Sequence, residues 1–585
     1  MSFTNDDDFM KEFMVGSMQE LFSMMPMPPT VRNAALAKYK IPDISAEYRK
    51  AYPMDVTNRI GELKDYQFQF EKIFGEIAQG GQAFGDGDFD EDHLEERWDI
   101  FPSEVSAFKR RIKGAVPGDI IDVGPRGYGA ADRVTSDRVI PNQMFRNTPA
   151  ETYPFENGRT YVGFGYVDLS QLMWSNHVLH GDGVVDFYGY DQAEITVARS
   201  LLILEMLKSA EKKVSNKSIL QVWFSSCWDK ETKQEFAAFL QEVIAKSNNS
   251  LLKKHAKIWS KKAISVKDAE EKFEARRESS KFCPLFNLKS ADDCVRYARY
   301  LFTGYLFMDV RGKDAVSGNV TMFPNASDNW TRVGETSFED FFQSIGLTTM
   351  MSHLTKEDKS LIQFVQDVTK VKLQTFRSLI QSGAICCHLN VQEVQTKDDR
   401  FAEEVRRLNP ARIDWSNIPD YMDRHDFQMF AKKCSGPKTV HTFHTMNWIQ
   451  KVFGAQYLDY NGSRSLLEKM LKDYQKLKHK WLDPASGNHP QDETRELKRL
   501  ARLDPPFKLP TNEFMERAAV KFGGNYAKYF LTTRDEKNLN MSLTLGNAVN
   551  PLFVQVDSTI FVAFSFTEGI TLPSIEHFSL LPNTV

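Results

Sequence analysis

Three groups of residues in this chain have the types and spacing that could do chemistry. The first is Gly163 and Gly165 in the run GFGYVD, between an apolar run and a helical pattern. Glycines at the end of a strand let the backbone approach a ligand, and the following helix N-terminus adds partial positive charge. A full dinucleotide fingerprint needs a third glycine, and that position is Asp168. The second is Asp191, placed where a doubly wound fold sets an acid against a pair of ribose hydroxyls. Asp is equally suited to capping a helix, and both roles stay open. The third is DWSNIPDY, residues 414 to 421, in which Asn417, Asp420 and Tyr421 could orient a substrate amine or hydroxyl. Pro419 and its polar neighbours also describe an ordinary turn.

Other reactive side chains point to structure. His441 and His444 stand three apart in a strand pattern, so they face opposite sides and make a poor metal pair. Cys386 and Cys387 are adjacent in a strand pattern and read as core residues. No Ser, His and Asp set and no Cys and His pair stands in a nucleophile context. The alternating acids Asp86, Asp88 and Asp90 lack the glycine and terminal Glu offsets of a calcium loop and read as a solvated acidic loop.

These groups need elements to hold them. RTYVGFG and VVDFYGY read as strands, with a helical pattern in DLSQLMWSNHVL between them. Crossovers of that length exclude hairpins and imply parallel pairing. Residues 193 to 207 are apolar on nearly all sides, which suits a helix packed between a sheet and its neighbours. Strand patterns resume near Ala384, Ala411 and Lys438, after an interruption of more than a hundred residues. Asn and Gly turns in the last strand-like stretch, from Asn540, suggest an antiparallel pair closing the sheet edge. The predicted fold is therefore α/β and Rossmann-like, with a mainly parallel sheet and a long helical insertion. The expected organisation is an N-terminal extension over 1–150, a first half-domain over 151–245 and a helical insertion over 246–374. A second half-domain covers 375–450, and a helical segment with closing strands covers 451–585.

Composition sets the outer bounds. At 585 residues, 42% hydrophobic with 43 Phe, the chain has enough apolar surface for more than one core. A net charge of −4 supplies no overall field toward nucleic acid or an anionic membrane, so neither is expected as a partner. Six cysteines without CxxC spacing, and an acidic start lacking a signal-peptide pattern, point to a cytoplasmic protein with reduced thiols. Residues 246 to 281 carry eleven Lys or Arg against five acids, a solvated helical face or a surface for an acidic partner.

Four stretches, TYVGFGYVDLSQLM, VVDFYGYDQAEITVARSLLILEML, ILQVWFSSCWDKETKQEFAAFLQEVI and IDWSNIPDYMDRHDF, carry a family likeness. In this order they resemble Rossmann-type, methyltransferase-like domains of unknown function, found in fungal proteins often beside a MYND zinc finger. The same domain type forms the N-terminal part of the dynein axonemal assembly factor 3 family. The likeness covers residues 160 to 246 and 374 to 448. The cysteine and histidine array of a MYND finger is missing, and the segment after the third strand, His388 to Glu393, has no Gly-Asp pair.

The resemblance implies two functions. One is a binding or assembly module with a degenerate cofactor site and protein partners, contacted through residues 246–281 and a Met-rich start (Met10, Met14, Met18, Met24, Met25 and Met27). The other is a methyltransferase using S-adenosylmethionine. Gly163 and Gly165 would then approach the cofactor's amino-acid part, Asp191 would accept from its ribose, and Asn417, Asp420 and Tyr421 would align a nucleophile.

Overall fold

A computed structural model describes residues 115–121, 155–156, 158–166, 168–174, 183–269, 304–307, 314–323, 361–445, 448–455, 522–532, 540–546 and 559–572. The acidic stretch around Asp86, the Met-rich start, Cys283, Cys294 and the charge-laced segment from 465 to 503 lie outside these residues.

Seven strands form the main sheet. They are β1 (Thr160–Phe164), β2 (Val185–Asp191), β5 (Ile385–Val391), β6 (Arg412–Asp414), β7 (Val440–Thr445), β8 (Asn540–Gly546) and β9 (Thr559–Ser565). A separate short ladder pairs β3 (Cys227–Trp228) with β4 (Ser317–Gly318) in antiparallel register. The order across the main sheet is β5-β2-β1-β6-β7-β9-β8. The first five run parallel, and β9 lies antiparallel to both β7 and β8. The strands bearing Gly163 and leading to Ser416 are thus direct neighbours, and the antiparallel pair β8 and β9 closes one edge as expected.

The helices are α1 (Ser170–Trp174), α2 (Glu194–Lys208), α3 (Asn216–Phe224), α4 (Lys230–Lys246), α5 (Ser250–Lys261), α6 (Leu361–Gln381), α7 (Asp399–Arg407), α8 (Arg424–Cys434) and α9 (Trp448–Lys451). Local chemistry starts several of them. Ser215, Asp229, Asn249, Asp398 and Asp423 each accept a backbone N–H of the first turn that follows, in α3, α4, α5, α7 and α8.

Period-two alternation sorts the strand residues onto two cores. Tyr161, Val185, Phe187, Ile385 and Leu389 face one side, in a core shared with α1 to α6, of which α2 and α6 pack on the sheet. Val162, Phe164, Ile413, Trp415 and Phe443 face the other, against α7, α8 and a helix over residues 522–531. The all-round apolar character of α2 has its cause here: twelve of its side chains are buried between the sheet and α3, α5 and α6.

Cys386 and Cys387 are half-buried on the edge strand β5 rather than central core residues. They are free thiols, as are the buried Cys227 and Cys434. Among the described residues no helix is long and apolar enough to cross a membrane.

Candidate functional site

In an open α/β sheet, ligands bind beyond the carboxyl ends of the strands where the order reverses. Here the order reverses between β1 and β6: β2 and β5 extend to one side, β6 and β7 to the other. Because these strands are parallel, Gly165, Asp191, the 414–421 segment and Thr445 all fall at one end of the sheet.

Gly165 has the geometry its type requires. Its φ of +58° is left-handed, and its N–H donates to Tyr190 O at 2.8 Å, bending the chain sharply out of β1. A Cβ there would sit 3.5 Å from Ile418 Cδ1 and 3.6 Å from Ser416 Cβ, so the turns after β1 and β6 touch. Gly163, expected just after the first strand, lies instead inside β1, in register with Gly189 and Asp414.

Tyr166, next in line, folds back onto the sheet. Its ring lies so close to Gly189 that a Cβ on that glycine would approach it to 2.9 Å, and it meets Phe187 edge-on at 6.1 Å. Burial first, and then the charge of Asp191, hold its phenol well above the usual range.

Asp168, the residue at the missing third glycine, caps α1. One carboxylate oxygen accepts the Ser170 N–H at 2.9 Å and its hydroxyl at 2.5 Å, and the other accepts the Trp223 indole N–H at 3.4 Å. Burial raises the Asp168 carboxyl above its ordinary value, partly offset by these hydrogen bonds and by Arg199. Arg199, on α2 and also buried, is lowered to about 10 by desolvation. Its guanidinium donates to Val222 O, Trp223 O and Thr321 Oγ1.

Asp191 ends β2, and its Oδ1 accepts the Ala193 N–H at 2.9 Å, an Asx turn that leads into α2, whose N-cap Ala193 has no side-chain cap. After β6, Asp414 Oδ1 accepts the Ser416 N–H at 3.0 Å and the His444 N–H donates to Ser416 O at 2.7 Å. These bonds hold Ser416 at a φ of +51°, unusual for a residue with a side chain. The 3-10 turn Ile418–Tyr421 follows. Asn417 Nδ2 donates to Tyr421 Oη at 3.2 Å, and Asp420 accepts the Thr445 hydroxyl at 2.5 Å. Asn417 and Asp420 are buried and Tyr421 is 51% exposed. The structure therefore gathers Asn417, Asp420 and Tyr421 in one hydrogen-bonded turn at the switch point, near Gly165.

Of the two histidines, His441 is enclosed in the core. Its Nδ1 accepts the Trp415 indole N–H at 3.0 Å, so Nε2 carries the proton and donates to Ser435 Oγ at 2.7 Å. That tautomer cannot accept the Ser435 proton, so the pair is no nucleophile. His444 is buried on the opposite face, edge-on to Phe561 at 5.2 Å. Among the described residues no three His, Cys, Asp or Glu side chains converge as a metal site.

Tyr166, Asp168, Arg199, Trp223 and Ser416 were not singled out as site residues from sequence. For Asp168 the signal was slight: it opens the helical pattern DLSQLMWSNHVL, and Asp favours helix starts. For Ser416 and Arg199 there was none, because their roles depend on strands and helices distant in the chain.

The chain is an α/β protein with a mainly parallel sheet, helices on both faces and a reversal of strand order between β1 and β6. The chain matches no protein-family model and no curated protein.

Proposed function

We propose that this chain is a protein-binding or assembly module on a Rossmann-like sheet of the methyltransferase type, with a degenerate cofactor crevice. The sheet order supports the fold type: five parallel strands reversing at β1 and β6, with the last strand inserted antiparallel before β8. The observation that carries the functional reading is Asp168. Its carboxylate, rather than a glycine, stands at the N-terminus of α1 and is tied to Ser170 and Trp223. The amino-acid carboxylate of S-adenosylmethionine would have to displace a buried side chain that already takes the Ser170 N–H and hydroxyl. Calorimetry with S-adenosylmethionine and its demethylated product tests this. No heat of binding up to millimolar concentration is expected, and micromolar binding of either compound would end the module reading.

The second reading, methyl transfer, rests on the convergence of Gly165, Asp191 and the Asn417, Asp420 and Tyr421 turn at one end of the sheet. In it Asp191 would accept from the ribose, and Asn417, Asp420 and Tyr421 would position the methyl acceptor, catalysis coming chiefly from alignment. If it holds, Asp191→Ala abolishes cellular function while leaving fold and partners intact.

A further inference from the structure

Helix α5, SLLKKHAKIWSK, contains no acid. Leu252, His255, Ala256 and Trp259 form its buried side. The remaining arc carries Lys253, Lys254, Lys257 and Lys261, with Ile258 45% exposed at its border. Lys254 is paired with Glu194 at 2.5 Å. Lys253, Lys257 and Lys261 have no acidic partner among the described residues, whereas nearby Lys213 and Lys246 both pair with Glu242. Four-residue spacing stacks these three ammonium groups in a line about 12 Å long on one side of the helix.

We infer that this lysine stripe is a docking surface for an acidic helix of a partner protein. The spacing matches Glu or Asp repeated every fourth residue on a facing helix, and Ile258 offers a single apolar contact beside the charges. The exposed arc has no Arg to grip phosphates bidentately and no aromatic ring for bases to stack on, and the chain's net charge is −4, which disfavours nucleic acid. One exposed isoleucine is too little apolar surface to seat the helix in a membrane. Opposite charges at such a rim act mainly on association rate and salt dependence.

The inference rests on the module reading for its purpose but can fail alone. The test is fluorescence anisotropy of the full chain with a labelled helical peptide bearing Glu at every fourth position over three turns and Leu beside them. Binding that weakens steeply between low and physiological salt is expected. Lys253→Glu, Lys257→Glu and Lys261→Glu together should reduce affinity more than about tenfold. A peptide with Lys in place of Glu should restore binding to that variant. The triple Gln variant, with no reversed charge, should lie between. Equal binding by the wild type and the Glu variant overturns the inference. So does tighter binding, through the same lysines, of a short DNA duplex or of phosphatidylserine vesicles. Calorimetry of the Glu variant with S-adenosylmethionine reports on the crevice separately.

Discussion

Asp168 and Trp223, 55 residues apart, meet through a 3.4 Å hydrogen bond from indole to carboxylate. The contact ties the first turn after β1 to the end of α3, and Arg199 reaches the same place by bonding the Val222 and Trp223 carbonyls. Asp168 and Arg199 are thus both buried beside Trp223, the carboxylate on its indole and the guanidinium on its backbone carbonyl.

Removing the carboxylate leaves the buried Ser170 N–H and the Trp223 indole N–H without the acceptor they share. Asp168→Ala should therefore cost about 2 kcal/mol, the order expected when buried donors lose their acceptor. Asp168→Asn, which keeps a side-chain oxygen for the Ser170 N–H, should cost less. Urea unfolding of both variants measures this, and a loss below about 0.5 kcal/mol for the alanine variant contradicts it.

His441 predicts acid sensitivity. Burial lowers its pKa from 6.5 to about 3, so it stays neutral in the fold but takes up a proton on unfolding below pH 6.5. The stability it contributes is complete above pH 6.5 and is lost as pH falls toward 3, by about 1.4 kcal/mol per unit. The wild type should show this decline in urea midpoints between pH 6.5 and 4.5. His441→Phe, although weaker at neutral pH because Trp415 and Ser435 lose their partner, should show a flatter profile.

Ser416 is held at a φ of +51° by Asp414 and His444. Ser416→Val places a β-branched residue in that conformation and should destabilise by more than about 1 kcal/mol. Ser416→Gly removes the strain and should leave stability unchanged or slightly raised. Thermal unfolding separates the two, and equal effects would mean that the backbone there relaxes.

Gly189 is limited by space, not by φ. A Cβ would lie 2.9 Å from the Tyr166 ring and 3.0 Å from Leu389 Cδ2, both buried. Gly189→Ala should cost about 2 kcal/mol through overpacking. Combining it with Tyr166→Leu should recover part of the loss, and strict additivity in the double-mutant cycle would show that the ring is not the obstacle.

Much of this architecture is local and therefore legible in the sequence. Alternating apolar runs with long crossovers announced parallel strands, continuous apolar character announced the buried helix α2, and the turns after Asn540 announced the closing hairpin. Asp191, Asn417, Asp420 and Tyr421 could be placed at strand ends because Asp191 closes one strand pattern and the run from Asp414 to Tyr421 leads out of another. Tertiary structure alone decided what those residues meet. Gly163 and Gly165 read alike in GFGYVD, yet the ladder keeps Gly163 in the strand while only Gly165 turns. Asp168 read as an absent glycine and became a buried cap facing Trp223 and Arg199. Such roles arise when hydrogen-bonding and charged groups far apart in the chain lose water together, so that each must satisfy another.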